Sequence, residues 1–308
     1  MLEPRLRGTD QSSLEINLRK LASSIELKPD FLILGEFSPH SIGEKTQRIL
    51  ERSFPFWVER PYSKTFQEFR VRIYSQVPLI LKKELLLDWA PPYIPKEKQQ
   101  AYREVWKSPV SGGRRFDRSY FRFAFSMNGQ EYHLLPLHLL CPWKKLKLDS
   151  ANTSRAILGQ SGQETMRNGF VDLLAKLSTA IEVERQDNPW FYQAKNFRIA
   201  LESDDGIDLS KDKVILIGDM NIPNSLLTAI HPEMDWVENS NYKFLKGGFQ
   251  DAFDETEPTY PSKTASGMVK GFPSLKIDHA FVNNFQVEAG EVLKWKGSDH
   301  YAIYLIGH

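Results

Sequence analysis

The sequence has little cysteine and no long apolar run. Cys141 is the only cysteine among 308 residues, which excludes an internal disulfide and a zinc site built from several cysteines. The longest apolar segment, 77–90, is interrupted by charged residues from Lys82 to Asp88 and is shorter than the roughly 18 residues that a membrane-spanning helix needs. A metal site in this chain would therefore have to use oxygen and nitrogen ligands.

An excess of charge of either sign is also missing. Lys and Arg number 40 and Asp and Glu number 39, which gives a net charge of +1. Such a chain has no general attraction for nucleic acid, so an anion-binding site would have to be local. No signal peptide is recognisable, and we expect a cytoplasmic protein without stable membrane insertion.

The most informative stretch that is present is 214–223, which reads Val-Ile-Leu-Ile-Gly-Asp-Met-Asn-Ile-Pro. Its apolar run predicts a buried strand that delivers Asp219 and Asn221 to the rim of a sheet. Residues two apart in an extended chain share a face, so the carboxylate and the amide could converge on a metal-bound water or a phosphate. The same residues also form ordinary Asx turns after strands, and the motif alone leaves both interpretations open.

Patterns elsewhere predict helices and further strands. Apolar spacing predicts a helix over 12–27 that begins with a capping box of Ser12 and Glu15, and a second helix over 166–181. Residues 120–137 read as a β-hairpin around Asn128-Gly129, a type I′ turn signal, and its second strand ends at His138.

The carboxyl-terminal third contains an acid where none is expected. Asp278 interrupts the otherwise apolar strand predicted over 275–282. A carboxylate buried there without a partner would cost several kcal/mol, so a partner must exist. The chain closes with Gly-Ser-Asp-His at 297–300 and a strand predicted over 301–306.

Six short motifs, in this order, resemble those of the endonuclease/exonuclease/phosphatase superfamily, the deoxyribonuclease I-like phosphoesterases. They are Pro29–Glu36, Tyr74–Leu79, Pro136–His138, Gly218–Asn221, Lys276–His279 and Ser298–His300. The resemblance implies a single α/β domain over 1–308, folded as a four-layer α/β sandwich of two packed mixed β-sheets flanked by helices. We interpret 80–118 and 190–212 as surface insertions in that domain.

The resemblance implies a metal site as well. Glu36 and Asp299 fall on positions that bind metal in the family, and oxygen ligands favour Mg²⁺ or Mn²⁺. One position departs from the pattern, since Arg5 stands where the family has a metal-binding asparagine at the end of its first strand. Either that strand is missing here or another group, such as Asp10, compensates.

By the same resemblance, five residues would carry the reaction. Asp219 would orient and deprotonate the attacking water, and Asn221 would hold a phosphoryl oxygen. His300, braced by Asp278, would bind or protonate the phosphate, and His138 would act as a second donor near the leaving oxygen.

These residues predict a divalent-metal-dependent phosphodiesterase, with nucleic acid as the expected substrate. Arg114, Arg115 and Arg118 could grip its phosphates, although a solvated basic loop would have the same composition. Two alternatives stay open: an inositol-phosphate or phospholipid phosphatase or phospholipase of the same fold, and a catalytically silent binding module. The sequence identifies no protein partner.

Overall fold

The computed structural model describes residues 11–24, 29–37, 42–62, 70–87, 118–139, 189–220, 246–253, 258–259, 276–295 and 300–308. These segments contain the helices α1 (Gln11–Ser23), α2 (Glu44–Ser53) and α3 (Pro189–Glu202). Their strands are β1 (Phe31–Phe37), β2 (Phe56–Pro61), β3 (Arg70–Ser75), β4 (Ile80–Leu87), β5 (Arg118–Met127), β6 (Gln130–His138), β7 (Lys213–Asp219), β8 (Gln250–Asp251), β9 (Asp278–Asn283), β10 (Val287–Leu293) and β11 (Ala302–Gly307).

The largest sheet has six strands in the order β4-β5-β6-β7-β9-β8. It is mixed, because β6 and β7 run parallel while the other neighbours are antiparallel. Side chains of β7 alternate between two apolar cores, with Val214 and Leu216 on one face and Ile215 on the other. The register sets His138 of β6 beside Asp219 of β7, and Asp219 opposite Asp278 of β9.

Two smaller antiparallel sheets, β1-β3-β2 and β10-β11, face one side of the six-stranded sheet. The core between these layers includes Val71 and Ile73 from β3, packed with Phe123, Leu134 and Ile215 from the large sheet. Burial of this apolar surface is what holds the two β layers together.

Helices cover both outer faces. On the free face of the six-stranded sheet, Phe197 and Leu201 of α3 pack in one cluster with Leu216. On the far side of the smaller sheets, Leu18 of α1 and Leu50 of α2 pack in another. The order helix, sheet, sheet, helix confirms the predicted four-layer α/β sandwich.

The hairpin between β5 and β6 forms at the predicted turn. Asn128 and Gly129 have φ values of 52° and 75°. Positive φ at both central positions is the requirement of a type I′ turn, which matches the twist of the flanking strands.

Part of each predicted insertion belongs to the body of the fold. Residues 80–87 form β4, the edge strand of the large sheet, and 88–117 lie outside the described residues. Charges in β4 obscured the strand in the sequence, yet an edge strand can carry them because its outer side faces solvent. Within 190–212, helix α3 supplies Ala194 and Phe197 to the core, so this stretch is not a surface connector.

The beginning of the chain differs from its predicted form. Helix α1 ends at Ser23, and its predicted last residues, 25–27, lie outside the described part of the structure, as does the helix predicted over 166–181. Ser12, the predicted N-cap, lies inside α1, and the Glu15 carboxylate accepts bonds from Gly43 N at 2.8 Å and from Thr46 Oγ1 at 2.7 Å. Glu15 thereby caps the start of α2, a tertiary contact that local spacing does not reveal. No helix within the described ranges is long and apolar enough to cross a membrane.

Candidate active site

The candidate site lies where the parallel strands β6 and β7 end side by side. Their last residues are His138 and Asp219, and His138 Nε2 lies 3.9 Å from Asp219 Oδ2. The residue before the acid is Gly218, whose φ is +144°. A Cβ at Gly218 would lie 2.0 Å from the carbonyl oxygen of Leu137, so only glycine lets β7 approach β6 this closely.

Three residues from distant parts of the chain form the centre of the site. Asp219 at the end of β7, Asp278 at the start of β9 and His300 just before β11 are all buried. One possible ligand atom from each lies within 4.8 Å of the other two. Carboxylate oxygens and an imidazole nitrogen at this spacing suit a divalent cation or a phosphate group.

Asp278 and His300 form a buried ion pair. His300 Nδ1 lies 2.8 Å from Asp278 Oδ2. Burial lowers the pKa of the imidazole, but the charge and hydrogen bond of Asp278 outweigh it and raise the pKa of His300 to about 9. Burial also opposes ionisation of Asp278, yet its contact with His300 holds the pKa of the carboxyl below its ordinary value. His300 is thus the partner that an acid in an apolar strand requires, and it is cationic at neutral pH.

Thr259 joins the two elements that carry this pair. Its Oγ1 accepts the backbone N–H groups of Ile277 at 3.1 Å and Asp278 at 3.0 Å, and its carbonyl accepts the N–H of Tyr301 at 2.7 Å. Thr259 is completely buried. Nothing in the sequence marked Thr259, because it stands in a stretch with many Thr and Ser residues.

His138 is held from the opposite side by Tyr62, which follows β2. The Tyr62 ring meets the imidazole edge-on, with centroids 5.2 Å apart. Tyr62 is 2% exposed, so this contact lies in the core and restricts the orientation of the imidazole. The sequence analysis did not single out Tyr62.

The side chains of the motif over 276–279 contact two different groups of residues. Asp278 faces His300, whereas Lys276 donates to Asp251 Oδ2 at 2.9 Å and His279 Nδ1 lies 3.7 Å from the same oxygen. Burial opposes ionisation of Asp251, but His279 and Lys276 outweigh it and lower the pKa of that carboxyl. Lys276 and His279 therefore tie β8 to β9 on the side of Asp251.

The remaining predicted site residues lie at the limits of the described structure. Glu36 belongs to β1, but its side chain falls outside what is described. Arg118 is the first residue of β5, and the N–H of the next residue, Ser119, donates to the carbonyl of Tyr62 at 2.8 Å, which puts Arg118 on the His138 side of the site. The positions outside the described residues are Arg5, Asp10, Arg114, Arg115, Asn221 and Asp299.

Comparison with solved structures finds the same fold elsewhere. The chain is similar to an endonuclease/exonuclease/phosphatase family protein from Leptotrichia buccalis C-1013-b, with 14% identity and a TM-score of 0.54 over 99% of this chain and 96% of that one. It is also similar to SmcL, with 13% identity and a TM-score of 0.53 over 94% and 90% of the two chains. A third match is D. rerio TDP2 complexed with single strand DNA product, with 15% identity and a TM-score of 0.51 over 98% and 96%. At these identities the likeness shows the fold alone.

Sequence comparison identifies the protein family that has this fold and matches the chain. No curated protein sequence is a significant match. A sequence model of the Endonuclease/Exonuclease/phosphatase family, however, matches residues 14–300, which run from α1 to His300 and include Asp219 and Asp278. Because that match spans most of the sequence and the four-layer sandwich agrees with it, the chain belongs to the Endonuclease/Exonuclease/phosphatase family.

Proposed function

We propose that this protein is a divalent-metal-dependent phosphodiesterase that hydrolyses nucleic acid with a water activated by Asp219. The family consists in general of hydrolytic phosphoesterases, and this chain has a metal-dependent phosphoesterase fold. The observation that carries the proposal is the convergence of Asp219, Asp278 and His300, with ligand atoms within 4.8 Å of one another. In a catalytically inactive protein of this fold, burying these charged groups together would cost free energy without serving a reaction.

Asp219 is suited to the role of general base. It stands at the end of a central strand, where Gly218 and the close approach of β6 fix its backbone. A carboxylate held in this way can accept a proton from a water that faces the phosphorus atom. Two residues further, Asn221 would hold a phosphoryl oxygen from the same side.

His300 is suited to stabilise developing negative charge. The bond from Nδ1 to Asp278 fixes the ring, so Nε2, on the other side of the imidazolium, would donate to a phosphoryl oxygen. A donor that is already charged and oriented needs no rearrangement as charge builds up on the phosphate. His138, across from Asp219, would donate to the leaving oxygen.

The donor set fits a hard divalent cation. Glu36 and Asp299 are the carboxylates that we propose as its ligands. Mg²⁺ or Mn²⁺ bound there would neutralise phosphate charge and polarise the phosphoryl group. Support for a nucleic acid substrate comes from the fold, which is shared with D. rerio TDP2, whose structure contains a single strand DNA product. Arg118, and with it Arg114 and Arg115, would contact the phosphate backbone.

Hydrolysis of bis(p-nitrophenyl) phosphate with added Mg²⁺ tests the chemistry. We expect Asp219→Asn to lower the rate by about 10²–10⁴-fold, the usual contribution of a positioned general base. The matched control is Asp205→Asn, since the Asp205 side chain is 98% exposed and the change is chemically identical. A wild-type protein as inactive as Asp219→Asn would refute catalysis.

The substrate class needs a second assay. Plasmid DNA, RNA, phosphatidylinositol phosphates and sphingomyelin are offered in parallel at equal phosphate concentration. We expect cleavage of nucleic acid without release of inorganic phosphate. Preferential cleavage of a lipid would leave the mechanism standing and overturn the nucleic acid assignment.

A further inference from the structure

The backbone and the side chain of His138 are held by different parts of the fold. Strand β6 pairs in parallel with β7 so that His138 lies beside Asp219, and the N–H of Leu139 donates to the carbonyl of Asp219 at 3.0 Å. These contacts fix the Cα atom of His138, but they leave its imidazole free to rotate about the side-chain bonds. Since His138 is buried, the packing around the ring decides its orientation.

That packing comes from the smaller sheets. Side chains of β6 alternate, with Leu135 in the core beneath α3 and Leu134 in the core between the β layers. His138 is an even number of residues from Leu134, so it lies on the face that is turned toward the smaller sheets. Asp219 lies on the same face by its spacing from Ile215. Both polar groups therefore face β2 and its neighbours across the sandwich.

Tyr62, the residue after β2, meets the imidazole there. The two ring centroids lie 5.2 Å apart, and the ring planes meet at 75°. Edge-to-face pairs of this kind have a preferred geometry, so the contact favours one orientation of the imidazole over the others. In that orientation His138 Nε2 lies 3.9 Å from Asp219 Oδ2.

Tyr62 is itself fixed by contacts with β5. Its carbonyl accepts the N–H of Ser119 at 2.8 Å, which joins the end of β2 to the beginning of β5. Its buried ring also packs against Phe121, with centroids 6.5 Å apart. A ring that contacts both β5 and β6 cannot move away from the imidazole without opening the core. Tyr62 is therefore a rigid support for His138.

We propose that Tyr62 is a positioning residue for the departure of the leaving group: its ring holds His138 so that Nε2 faces the leaving oxygen of a phosphodiester. This inference rests on the proposed phosphodiesterase activity and adds a residue that lies outside all six sequence motifs. Tyr62 does not touch the reacting atoms, so its effect passes through His138. The phenolic hydroxyl is not required, because the ring makes the contact.

The step that needs this support is cleavage of the bond between phosphorus and the leaving oxygen. Water gains a bond to phosphorus and gives its proton to Asp219, while the electron pair of the cleaved bond stays on the leaving oxygen. That oxygen takes a proton from the His138 imidazolium, and transfer of one proton from Asp219 to His138 afterwards restores both groups. A displacement of a reacting group by about 1 Å can cost about 10²-fold in rate, so an imidazole that rotates freely would slow this step.

The measurable consequence is a dependence on the leaving group. p-Nitrophenolate is a weak base that leaves without a proton, whereas phenolate is a stronger base and depends on the proton more. The test therefore compares bis(p-nitrophenyl) phosphate with diphenyl phosphate, both with added Mg²⁺. We expect Tyr62→Leu to lower kcat by about tenfold or more for diphenyl phosphate and by less than about threefold for bis(p-nitrophenyl) phosphate, with KM unchanged within about twofold. Tyr62→Phe keeps the ring and should stay within about twofold of wild type on both.

The matched control is Tyr132→Leu. Tyr132 is also a buried tyrosine, but it stacks on Phe125 near the other end of β6. Its loss should lower the melting temperature, while the ratio of the two kcat values should match that of wild type. If Tyr62→Leu does not fold, Tyr62→Met supplies the comparison, because methionine fills irregular space without an aromatic ring.

A double-mutant cycle separates action through His138 from damage to the rest of the site. His138→Gln should itself lower kcat for diphenyl phosphate. In the His138→Gln background, Tyr62→Leu should change this kcat by less than about twofold, since the group that it supports is already gone. General damage to the fold would instead multiply the two effects.

Nuclear magnetic resonance gives a readout that needs no substrate. In protein labelled at histidine, the imidazole signals of His138 are identified by their absence from His138→Gln. Tyr62→Leu should shift these signals because the ring current of the tyrosine is lost. Tyr62→Phe and Tyr132→Leu should shift them far less.

Four outcomes would overturn the proposal. They are equal changes of kcat for the two diesters in Tyr62→Leu, a loss in Tyr62→Phe as large as in Tyr62→Leu, multiplication of the two effects in the double variant, and unchanged His138 signals in Tyr62→Leu. A wild-type protein without activity on either diester is a different result, because it refutes the proposed function itself and leaves Tyr62 no reaction to support.

Discussion

Replacing Asp204 with asparagine should destabilise the fold strongly, although Asp204 lies away from the candidate site. The Asp204 side chain is completely buried and accepts hydrogen bonds from four groups. Lys83 Nζ lies at 3.1 Å, the hydroxyl of Tyr120 at 3.0 Å, Arg122 Nε at 2.8 Å and the N–H of Gly206 at 3.1 Å. This carboxylate therefore joins β4 and β5 to the end of α3.

The expected loss of stability follows from the hydrogen bonds that the asparagine amide cannot accept. Asparagine keeps the volume and one oxygen of aspartate, but its NH₂ group would face cationic donors. One of these donors, Arg122, is only 7% exposed, so water cannot replace the lost acceptor. Removing one partner of a buried ion pair costs about 3–5 kcal/mol, and because one oxygen survives we expect about 3 kcal/mol. In a chain of this size that corresponds to a melting temperature lower by roughly 6–10 °C.

Urea unfolding followed by circular dichroism measures the effect. The control is Asp205→Asn, the same change one residue along the chain. The Asp205 side chain is 98% exposed, and its one ion pair, with Lys83 Nζ at 3.6 Å, is therefore weak. It should alter the free energy of unfolding by less than about 0.5 kcal/mol. A loss below about 1 kcal/mol for Asp204→Asn would refute the reasoning, because the buried cations would then not need the carboxylate.

The same carboxylate makes stability depend on pH. Burial opposes its ionisation, but the bonds from Gly206, Lys83, Tyr120 and Arg122 outweigh burial and lower the pKa of Asp204 from its ordinary 3.8. A lowered pKa means that the stabilisation is complete above pH 4 and is lost as pH falls through the pKa of the folded state. The difference in unfolding free energy between wild type and Asp204→Asn should therefore shrink below about pH 4; a constant difference from pH 7 to pH 2 would argue against this assignment.

Three further changes test the site and its supports. Thr259→Val should cost about 1–3 kcal/mol because two buried N–H groups lose their acceptor, while Thr259→Ser keeps the oxygen and should cost less; equal losses in urea unfolding would contradict this role. Gly218→Ala should cost more than about 2 kcal/mol because its Cβ would lie 2.0 Å from Leu137 O, whereas Gly248→Ala has the same kind of φ but open space and should cost about 1 kcal/mol. Chelation with EDTA should abolish phosphodiester hydrolysis and added Mg²⁺ should restore it; activity that survives exhaustive chelation would exclude the proposed metal dependence.

Local patterns in the sequence were sufficient for several elements. The Asn128-Gly129 turn was predictable because few other residue pairs tolerate positive φ at both positions. The strand that ends at Asp219 was predictable because a short apolar run closed by glycine has few other structures open to it. Helix α3 and strand β4 were missed because their charged and aromatic residues acquire a buried or an edge position only from neighbours elsewhere in the chain.

The sequence by itself determined that Asp278 needs a partner, because a carboxylate in an apolar strand is costly in any fold. The family resemblance already implied His300 as that partner; only the tertiary structure shows their 2.8 Å contact and the hydrogen bonds to Thr259 that fix both, since β9, β11 and the Thr259 segment meet in space but not in sequence. Backbone preferences act over a few residues and can be read locally, whereas the packing of layers depends on which distant surfaces bury one another.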